Sequence, residues 1–431
     1  DTSWKVRRAA VAVLDAIIRS PSGDLLKPRY SVVCDALVSR FKEHDQSVRE
    51  VILLACRDLL HQAVQTSPNS SSASAMEDDD KQFEAPTLTR TRSTYETVVG
   101  QVENIVNGID KYFKGGNVQS KKAMLSLLCE LVLVRKGGLQ EHFSKLIPII
   151  ISSVEATGAA ASLNSEALKF LHGVVELHDF QQLESYVPNL AKTAITAVKS
   201  GGENKPESLR ACGSLAALLK GKASKMGSVA QDLFSVTLSQ LAVTDVPEKV
   251  KFAAISTMAT VLASFGTAIM QKQAAEVCNL LSERLSNEAT RLNTLKALER
   301  IARSDVPTDL TLVLRTSLKE IASFMRKTSS PLKHATVECL EALIRTHSKA
   351  LTDKDIEMIL SEVGPHISES DIQLSRLVLD MVSTTLEVNA GASVIVADKL
   401  LSNAINFVKS PLIQGPPQQA LIRFFQYCIL S

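Results

Sequence analysis

The chain has few aromatic residues, few glycines and almost no net charge, and each of these shortages argues against a class of protein. Aromatic residues make up 4% of the sequence, and only 18 of the 431 residues are Gly, whereas all-β folds usually contain more of both. The 48 basic and 46 acidic residues leave a net charge of +2. That excess is too small for a protein that binds nucleic acid mainly through phosphate contacts. The remaining mixture, rich in Ala, Leu, Ser, Val, Lys and Glu, is typical of helical proteins.

Cysteines and long apolar runs are also sparse. The two closest of the seven cysteines are Cys34 and Cys56, so no CxxC pair and no zinc framework is present. Free, buried thiols in a reducing compartment are the simplest interpretation. No run of 18 apolar residues occurs, so we expect no membrane span. The sequence starts at Asp1 without a charged-then-apolar leader, so we expect no secretory signal and interpret it as a piece of a longer chain.

Motifs that carry chemistry are absent or incomplete. No HExxH, GxGxxG or GxSxG stretch occurs, and the eight histidines show no metal-ligand spacing with the cysteines. The stretch Lys220–Ala223 resembles the end of a phosphate-binding loop, but Ala216 and Ala223 replace the required Gly and Ser/Thr. We therefore predict a protein that is not an enzyme, with no catalytic residue, cofactor, metal site or small-molecule substrate.

The main signal is a five-residue phrase that recurs ten times. Its form is an apolar or small residue, an often basic one, a variable one, a small one, and a small or apolar one. Clear copies are Val6–Ala10 and Val250–Ala254, and a degenerate copy is Ile413–Pro417. The copies start at residues 6, 48, 120, 164, 209, 250, 292, 332, 374 and 413. Eight of the nine spacings are 39–45 residues, which is the period of HEAT and armadillo helix pairs. WD40 blades share the period, but each blade needs four short strands separated by recurring Gly and aromatic residues, which this sequence lacks.

Each phrase is predicted to open a helix. From Val250, apolar or small residues follow at offsets 3, 4, 7, 8 and 11, which form one helical face. The pairs Ser330–Pro331 and Ser410–Pro411 are expected to supply an N-cap and a first helical residue. Upstream helices are marked by a Pro near their start: Pro28, Pro148, Pro188 and Pro307. The repeat is therefore helix A, a short turn and helix B, with B opening on the phrase.

These repeats predict an all-α protein, an α-solenoid of about ten HEAT-type helix-turn-helix repeats in a right-handed superhelix. A single helix pair cannot bury its apolar face alone, whereas stacked pairs share one continuous core. We expect repeats over residues 1–65 and 96–431, separated by an insertion at residues 66–95 that explains the one long spacing of 72.

The insertion has the composition of a flexible loop. Residues 66–95 contain six Ser, five Thr and the acidic run Glu77–Asp80, and cannot bury enough apolar surface to order themselves. A solvated loop is the simpler interpretation. The sharper hypothesis is a regulatory loop phosphorylated at Ser93 or Thr94, next to Arg90 and Arg92, whose added phosphate would pair with nearby basic residues.

A basic residue often fills the second position of the phrase, as in Arg7, Arg49, Lys121, Arg210, Lys251 and Lys333. These side chains could bond to acidic residues or carbonyls of adjacent repeats and form a ladder. Alternatively, they could line the inner groove and bind an acidic partner. We favour the ladder, because surface charges on helices are usually structural or solvated.

Several stretches are similar to one known family beyond the repeat class. They are Asp1–Ala10, Leu37–Lys42, Glu283–Leu298, Ile367–Asp371 and Ser410–Gly415. In that order and at similar spacing they resemble the cullin-associated, neddylation-dissociated protein family, the TIP-type cullin regulators. The region between about 150 and 240 is expected to match only as generic helical repeats.

The resemblance implies a function that composition alone could not give. Members of the family are long HEAT solenoids that wrap around a cullin–RING ubiquitin ligase scaffold lacking its ubiquitin-like modifier. They compete with the adaptor and substrate-receptor module and so promote receptor exchange, in SCF complex assembly among others. The resemblance implies that this chain is the middle segment of such a solenoid, in the cytoplasm and nucleus, with the cullin and RING subunits as partners. It assigns no contact residue, because the matching stretches look like scaffold signatures.

Three other functions stay open. An importin-type transport receptor would bind a small GTPase or a basic import signal. A phosphatase scaffold subunit has similar repeats, but of more regular length and without such an insertion. A repeat-protein enzyme such as a base-excision glycosylase would need a basic surface and a catalytic constellation, and the sequence shows neither.

Overall fold

In the computed structural model, which describes residues 3–20, 29–65 and 94–430, every regular element is a helix. The chain forms two compact units, Asp1–Leu218 and Leu219–Ser431.

The first unit consists of two rows of helices. Its described helices are α1 (Ser3–Arg19), α2 (Tyr30–Ser39), α3 (Gln46–Gln65), α4 (Thr94–Phe113), α5 (Val118–Val134), α6 (Phe143–Val154), α7 (Asn164–Leu177), α8 (Phe180–Leu183), α9 (Val187–Ser200) and α10 (Lys205–Leu218). Helices α1, α3, α5, α7 and α10 pack in succession, and α2, α4, α6 and α9 form the second row. Each member of the second row also packs on the helix that follows it in the chain.

The second unit repeats this arrangement. Its described helices are α11 (Ala223–Ala242), α12 (Glu248–Phe265), α13 (Thr267–Met270), α14 (Ala274–Ser286), α15 (Glu288–Ala302), α16 (Thr311–Ser323), α17 (Ser330–His347), α18 (Asp353–Val363), α19 (Ile372–Val388), α20 (Ser393–Val408) and α21 (Pro416–Leu430). Helices α12, α15, α17, α19 and α21 form one row, and α11, α14, α16, α18 and α20 form the other.

The recurring phrase marks one of these rows. Nine phrases start within α1, α3, α5, α7, α10, α12, α15, α17 and α19, and the tenth overlaps the start of α21. We call these ten the B helices and the members of the other row the A helices. The predicted all-α architecture of HEAT-type helix pairs is confirmed within each unit.

The predicted apolar stripe is the surface that successive helices bury. In α12, the residues at offsets 0, 3, 4, 7, 8 and 11 from the start of the phrase are all buried: Val250, Ala253, Ala254, Thr257, Met258 and Val261. Small side chains at the third and fourth offsets let the neighbouring helix approach closely. All seven cysteines are unpaired; five are buried, and Cys129 and Cys428 are half-buried. Burial raises the pKa of Cys34 to about 12 and, with the carboxylate of Asp309, that of Cys278 to about 11, so both thiols stay protonated and unreactive at neutral pH.

Helix starts follow the predictions only in part. Pro188 opens α9 as expected, and Pro148 lies inside α6, but Pro307 precedes α16 in a loop, where its carbonyl accepts the Thr267 N–H at 3.2 Å. Pro28 lies outside the described residues. The cap residue of α17 is Ser329, one position before the predicted Ser330.

The prediction that Ser410–Pro411 opens a helix is wrong. This pair lies in the turn between α20 and α21, where the Ser410 hydroxyl accepts the Leu412 N–H at 3.3 Å. Helix α21 starts further on, at Pro416, whose ring presets the helical backbone angle.

The predicted insertion lies between two helices. Helix α3 ends at Gln65 and α4 begins at Thr94, so the first two residues of α4 fall within the predicted range of 66–95. Residues 66–93 lie outside the described residues. Ser93 and the side chain of Thr94 are therefore not described, and phosphorylation there stays a prediction.

Candidate partner-binding surface

Within each unit the B helices present an exposed, charged side, which we call the B face of that unit. In the first unit it carries Arg19, His61, Glu130, Lys169, His172 and Arg210; in the second it carries Lys296, Arg300, Arg303, Glu338, Arg345, Asp380, Glu387 and Arg423. The helical period places these residues on the side opposite the buried stripe.

Side-chain contacts between polar and charged groups connect successive B helices in the first unit. Arg19 at the end of α1 pairs with Asp15 on its own helix, and its Nε lies 3.3 Å from Asp58 Oδ2 on α3. Asp15 is only 5% exposed; burial, followed by the neighbouring Asp58 carboxylate, raises its pKa. From α3, His61 Nδ1 lies 3.2 Å from Glu130 Oε2 on α5.

A longer network crosses the second unit. Glu341 of α17 is buried, and its two carboxylate oxygens lie 2.7 Å from Arg303 Nη2 and 2.8 Å from Arg345 Nη2. Arg345 also donates a 2.8 Å hydrogen bond to the Thr384 hydroxyl on α19. These contacts join α15, α17 and α19 through one buried carboxylate.

The network continues to the last helix of the unit. Asp380 of α19 accepts from Arg376 Nη1 at 3.2 Å and from Arg423 Nη1 of α21 at 3.1 Å. Both arginines are partly exposed, so each pair contributes little to stability, of the order of ~1 kcal/mol or less. The pairs do hold charged groups at fixed positions on the B face, which a partner surface can match.

Of the predicted basic ladder, only the contact of Arg7 joins two repeats through an acidic residue within the described residues. The Arg7 guanidinium pairs with Glu43, with Nε and Oε2 3.1 Å apart. The next phrase arginine, Arg49, donates from Nε to the Glu43 carbonyl at 2.8 Å, and its guanidinium lies 5.6 Å from the ring centroid of Tyr112. Lys121 contacts an aromatic ring instead, with Nζ 5.5 Å from the Phe113 centroid.

The ladder does not extend to the later phrases. Arg210 approaches only Glu207 of its own helix, at 3.7 Å, and its side chain is 64% exposed. Lys251 and Lys333 have no carboxylate partner among the described residues. A ladder needs an acidic side chain or a carbonyl one repeat away, and within the described residues only Glu43 supplies one, to Arg7.

Structural arginines outside the second position of the phrase were missed by the sequence reasoning. Arg291 in the first turn of α15 donates from Nε to the Leu285 carbonyl at 3.3 Å, and its guanidinium lies 4.6 Å from the Phe324 ring centroid. This arrangement repeats that of Arg49, which also binds a carbonyl of the preceding turn and faces an aromatic ring in the next hairpin. The sequence signal that could have predicted this contact is an Arg beside the start of the phrase, followed by an aromatic residue near the end of the next A helix.

Neither a metal cluster nor a single membrane-spanning helix is found in the described parts of the chain. There, no three His, Cys, Asp or Glu side chains come together in a way that could hold a metal ion. No single helix in the described ranges is long and apolar enough to cross a membrane; one pair, Gln140–Val154 and Gly158–Leu177, reaches that length and composition only across a bend of 120°.

Glu338 on the B face gives a testable pH dependence. Burial and then the Glu299 carboxylate raise its pKa above the ordinary 4.5. The folded state therefore holds this proton more tightly than the unfolded state, and stability falls as the pH rises from 4.5 through the folded-state pKa. We expect Glu338→Gln to raise the guanidinium chloride midpoint at pH 7 and to change it much less at pH 4.5.

The matched control for this change is Glu283→Gln, at an exposed glutamate of α14. It should leave the midpoint nearly unchanged at both pH values. A Glu338→Gln protein that is less stable than the parent at pH 7 would show that the neighbouring arginines, Arg303 and Arg376, stabilise the carboxylate more than burial destabilises it.

Comparison with known proteins identifies relatives along nearly the whole chain. A protein named Cullin-associated NEDD8-dissociated protein 1 from Arabidopsis thaliana is 29% identical over 437 aligned residues, covering 99% of this chain and 34% of the relative. The protein of the same name from Drosophila melanogaster is 28% identical, and Cullin-associated NEDD8-dissociated protein 2 from Mus musculus is 27% identical, each over 99% of this chain. The resemblance to the cullin-associated, NEDD8-dissociated family is confirmed. The chain spans about a third of the length of these relatives.

A family model also matches the middle of the chain. Residues 137–258 match the family described as "CAND1-like, TPR repeats". The expectation that residues 150–240 would match only as generic repeats is therefore wrong. The spacing of 39–45 residues between most phrases is longer than the 34 residues of a TPR unit and fits HEAT repeats.

Solved structures support the fold. Importin beta, crystallised in a polyethylene glycol condition, superimposes with a TM-score of 0.68, covering 98% of this chain and 52% of that chain. Sequence identity is 14%, so this likeness shows the HEAT solenoid architecture and carries no argument about cargo.

Proposed function

We propose that this chain is a non-enzymatic scaffold segment that binds cullin–RING ubiquitin ligase cores lacking the ubiquitin-like modifier and promotes exchange of their substrate-receptor modules. The observation that carries the proposal is the match over 99% of the chain to relatives named for cullin association and NEDD8 dissociation. The cullin and its RING subunit are the proposed partners, in the cytoplasm and nucleus.

The B faces supply a suitable surface for such a role. A stack of helix pairs offers a long surface rather than a deep catalytic cleft, and affinity then comes from many matched positions. The carboxylate–guanidinium network around Glu341 and Asp380 holds its charges in fixed positions before any partner arrives. Such preorganisation lowers the entropy lost on binding.

The test uses the full-length protein and a purified cullin–RING core. Deletion of the segment equivalent to residues 1–431 should abolish capture of the unmodified core and the exchange of receptor modules. The parent protein should capture the unmodified core and fail to capture the core carrying its ubiquitin-like modifier. Equal capture of the two forms would contradict the proposal, as would undiminished exchange without the segment.

Charge reversals then test the B face. Arg210 and Arg423 have side chains that are 64% and 55% exposed, so Arg210→Glu with Arg423→Glu should change stability little. We expect this double variant to weaken cullin binding about tenfold. Arg315→Glu with Lys319→Glu on the A helix α16 makes the same charge change at exposed positions and should bind normally.

The importin-type alternative is separated by its ligands. If the protein is a transport receptor, the same full-length protein should bind a small GTPase or a basic import signal. Binding of either, without capture of the cullin core, would favour that alternative.

A further inference from the structure

One groove on the B face of the second unit is lined by cations that have no carboxylate partner. It lies between α12 and α15, has a volume of about 190 Å³, and is lined by Phe252, Ser256, Asn293, Lys296 and Arg300 together with two alanines. Lys296 and Arg300 are exposed and stand one turn apart on the same side of α15. Neither is paired with an acidic side chain in the described parts of the chain.

Arg300 is held in place across the groove. Its Nη1 donates a 2.8 Å hydrogen bond to the Thr260 hydroxyl on α12, and that hydroxyl donates to the Ser256 carbonyl at 3.1 Å. A guanidinium has five N–H donors in a rigid plane, so most of them remain available to a ligand. This geometry suits two-point recognition of a carboxylate.

The neighbouring part of the B face differs in its charge balance. There, four arginines contact four carboxylates, so the cations are neutralised within the protein; the carboxylates are those of Glu299, Glu341, Asp380 and Glu387. Helix α12, by contrast, contains a single acidic residue, Glu248 in its first turn. Helix α15 contains Glu288 in its first turn and Glu299, and Glu299 is paired with Arg303, not with Arg300. The α12–α15 groove therefore keeps an unbalanced positive potential, which attracts anionic groups.

We propose that the α12–α15 groove docks an acidic segment of a protein partner. Its carboxylates pair with Arg300 and Lys296, and an adjacent apolar side chain packs against the half-buried ring of Phe252. A short groove with two free cations and an aromatic wall fits a peptide better than a nucleic acid, whose backbone is recognised by a longer run of cations. This proposal goes beyond the cullin-binding function and does not depend on it.

The test uses the whole 431-residue chain and a labelled peptide of about ten residues, made of Glu with one central Leu. In fluorescence anisotropy at low salt, the parent should bind this probe and lose affinity as salt is added. Lys296→Glu with Arg300→Glu should weaken binding at least about tenfold. The control, Arg315→Glu with Lys319→Glu, should stay within about twofold of the parent. Phe252→Ala should weaken binding of the Leu-containing probe several-fold.

Other outcomes would overturn the proposal. Equal weakening by the two charge-reversal pairs would show that net charge alone drives binding. Equal binding of a Gln-for-Glu peptide would show that carboxylates are not recognised, and tighter binding of a single-stranded oligonucleotide of the same charge would identify a nucleic-acid surface. If the double reversal alters the thermal unfolding curve, Lys296→Gln with Arg300→Gln replaces it and is expected to give the same loss.

Discussion

Replacing Ala253 with Asp is expected to lower the free energy of unfolding by about 3–5 kcal/mol. Ala253 is 5% exposed and occupies the third offset of the phrase in α12, where a neighbouring helix packs closely. A carboxylate at this position would be buried without a counter-ion. The structure must then either leave the charge uncompensated or move the helices apart. Chemical denaturation at pH 7 followed by circular dichroism measures the loss.

Ser256→Asp provides the matched control, because Ser256 is an exposed residue of the same helix. It introduces the same charge, and because Ser and Asp have similar helix propensities we expect a change of about 0.5 kcal/mol or less. Ala253→Asp loses about 0.5 kcal/mol of helix propensity in addition, which is small beside the expected loss. Similar losses in the two variants would show that Ala253 does not lie at a packed interface, and the assignment of the buried stripe would then be wrong.

The B helices could be predicted from sequence because their stripe must repeat with the fold. Every B helix packs on two others of its row or on one at the end of a unit, so small or apolar residues recur at the same offsets in most copies. Helix starts were harder to predict. A Ser–Pro pair is compatible with a turn as well as with a cap, and at Ser410 the turn is what forms.

The side-chain contacts between repeats could not be read from local sequence because their partners lie far apart along the chain. Arg7 and Glu43 are 36 residues apart, and Glu341 and Thr384 are 43 apart. These separations are close to the repeat period, which places equivalent positions of successive hairpins side by side. A search for complementary residues one period apart would have found Glu341 with Thr384 and Asp380 with Arg423.

Burial of the partners was also invisible in the sequence. Glu341 and Arg284 look like ordinary surface charges of a helix, yet they are 8% and 5% exposed. Which charged residue turns inward depends on where the neighbouring hairpin ends, and that is set by loop lengths that vary from repeat to repeat.

Arg284 has the second large effect that we expect, because its guanidinium closes the end of a neighbouring helix. Its Nε and Nη2 donate to the Leu241 carbonyl at 3.2 and 2.6 Å, and Nη2 also donates to the Val243 carbonyl at 2.9 Å. The last carbonyls of α11 have no partner within their own helix and carry the negative end of its dipole. A buried cation that binds them satisfies both groups at once.

Arg284→Met should therefore lower the free energy of unfolding by about 3–4 kcal/mol, since Met keeps much of the apolar stem but donates no hydrogen bond to the two carbonyls. Arg284→Lys should recover part of the loss, because an ammonium can reach one carbonyl but lacks the planar pair of donors. Arg315→Met, at an exposed arginine of α16, should cost less than about 0.5 kcal/mol. Urea denaturation of the three variants ranks them, and amide hydrogen exchange should show the last turn of α11 opening in Arg284→Met alone. An Arg284→Met protein as stable as the parent would mean that water replaces the guanidinium at these carbonyls without cost.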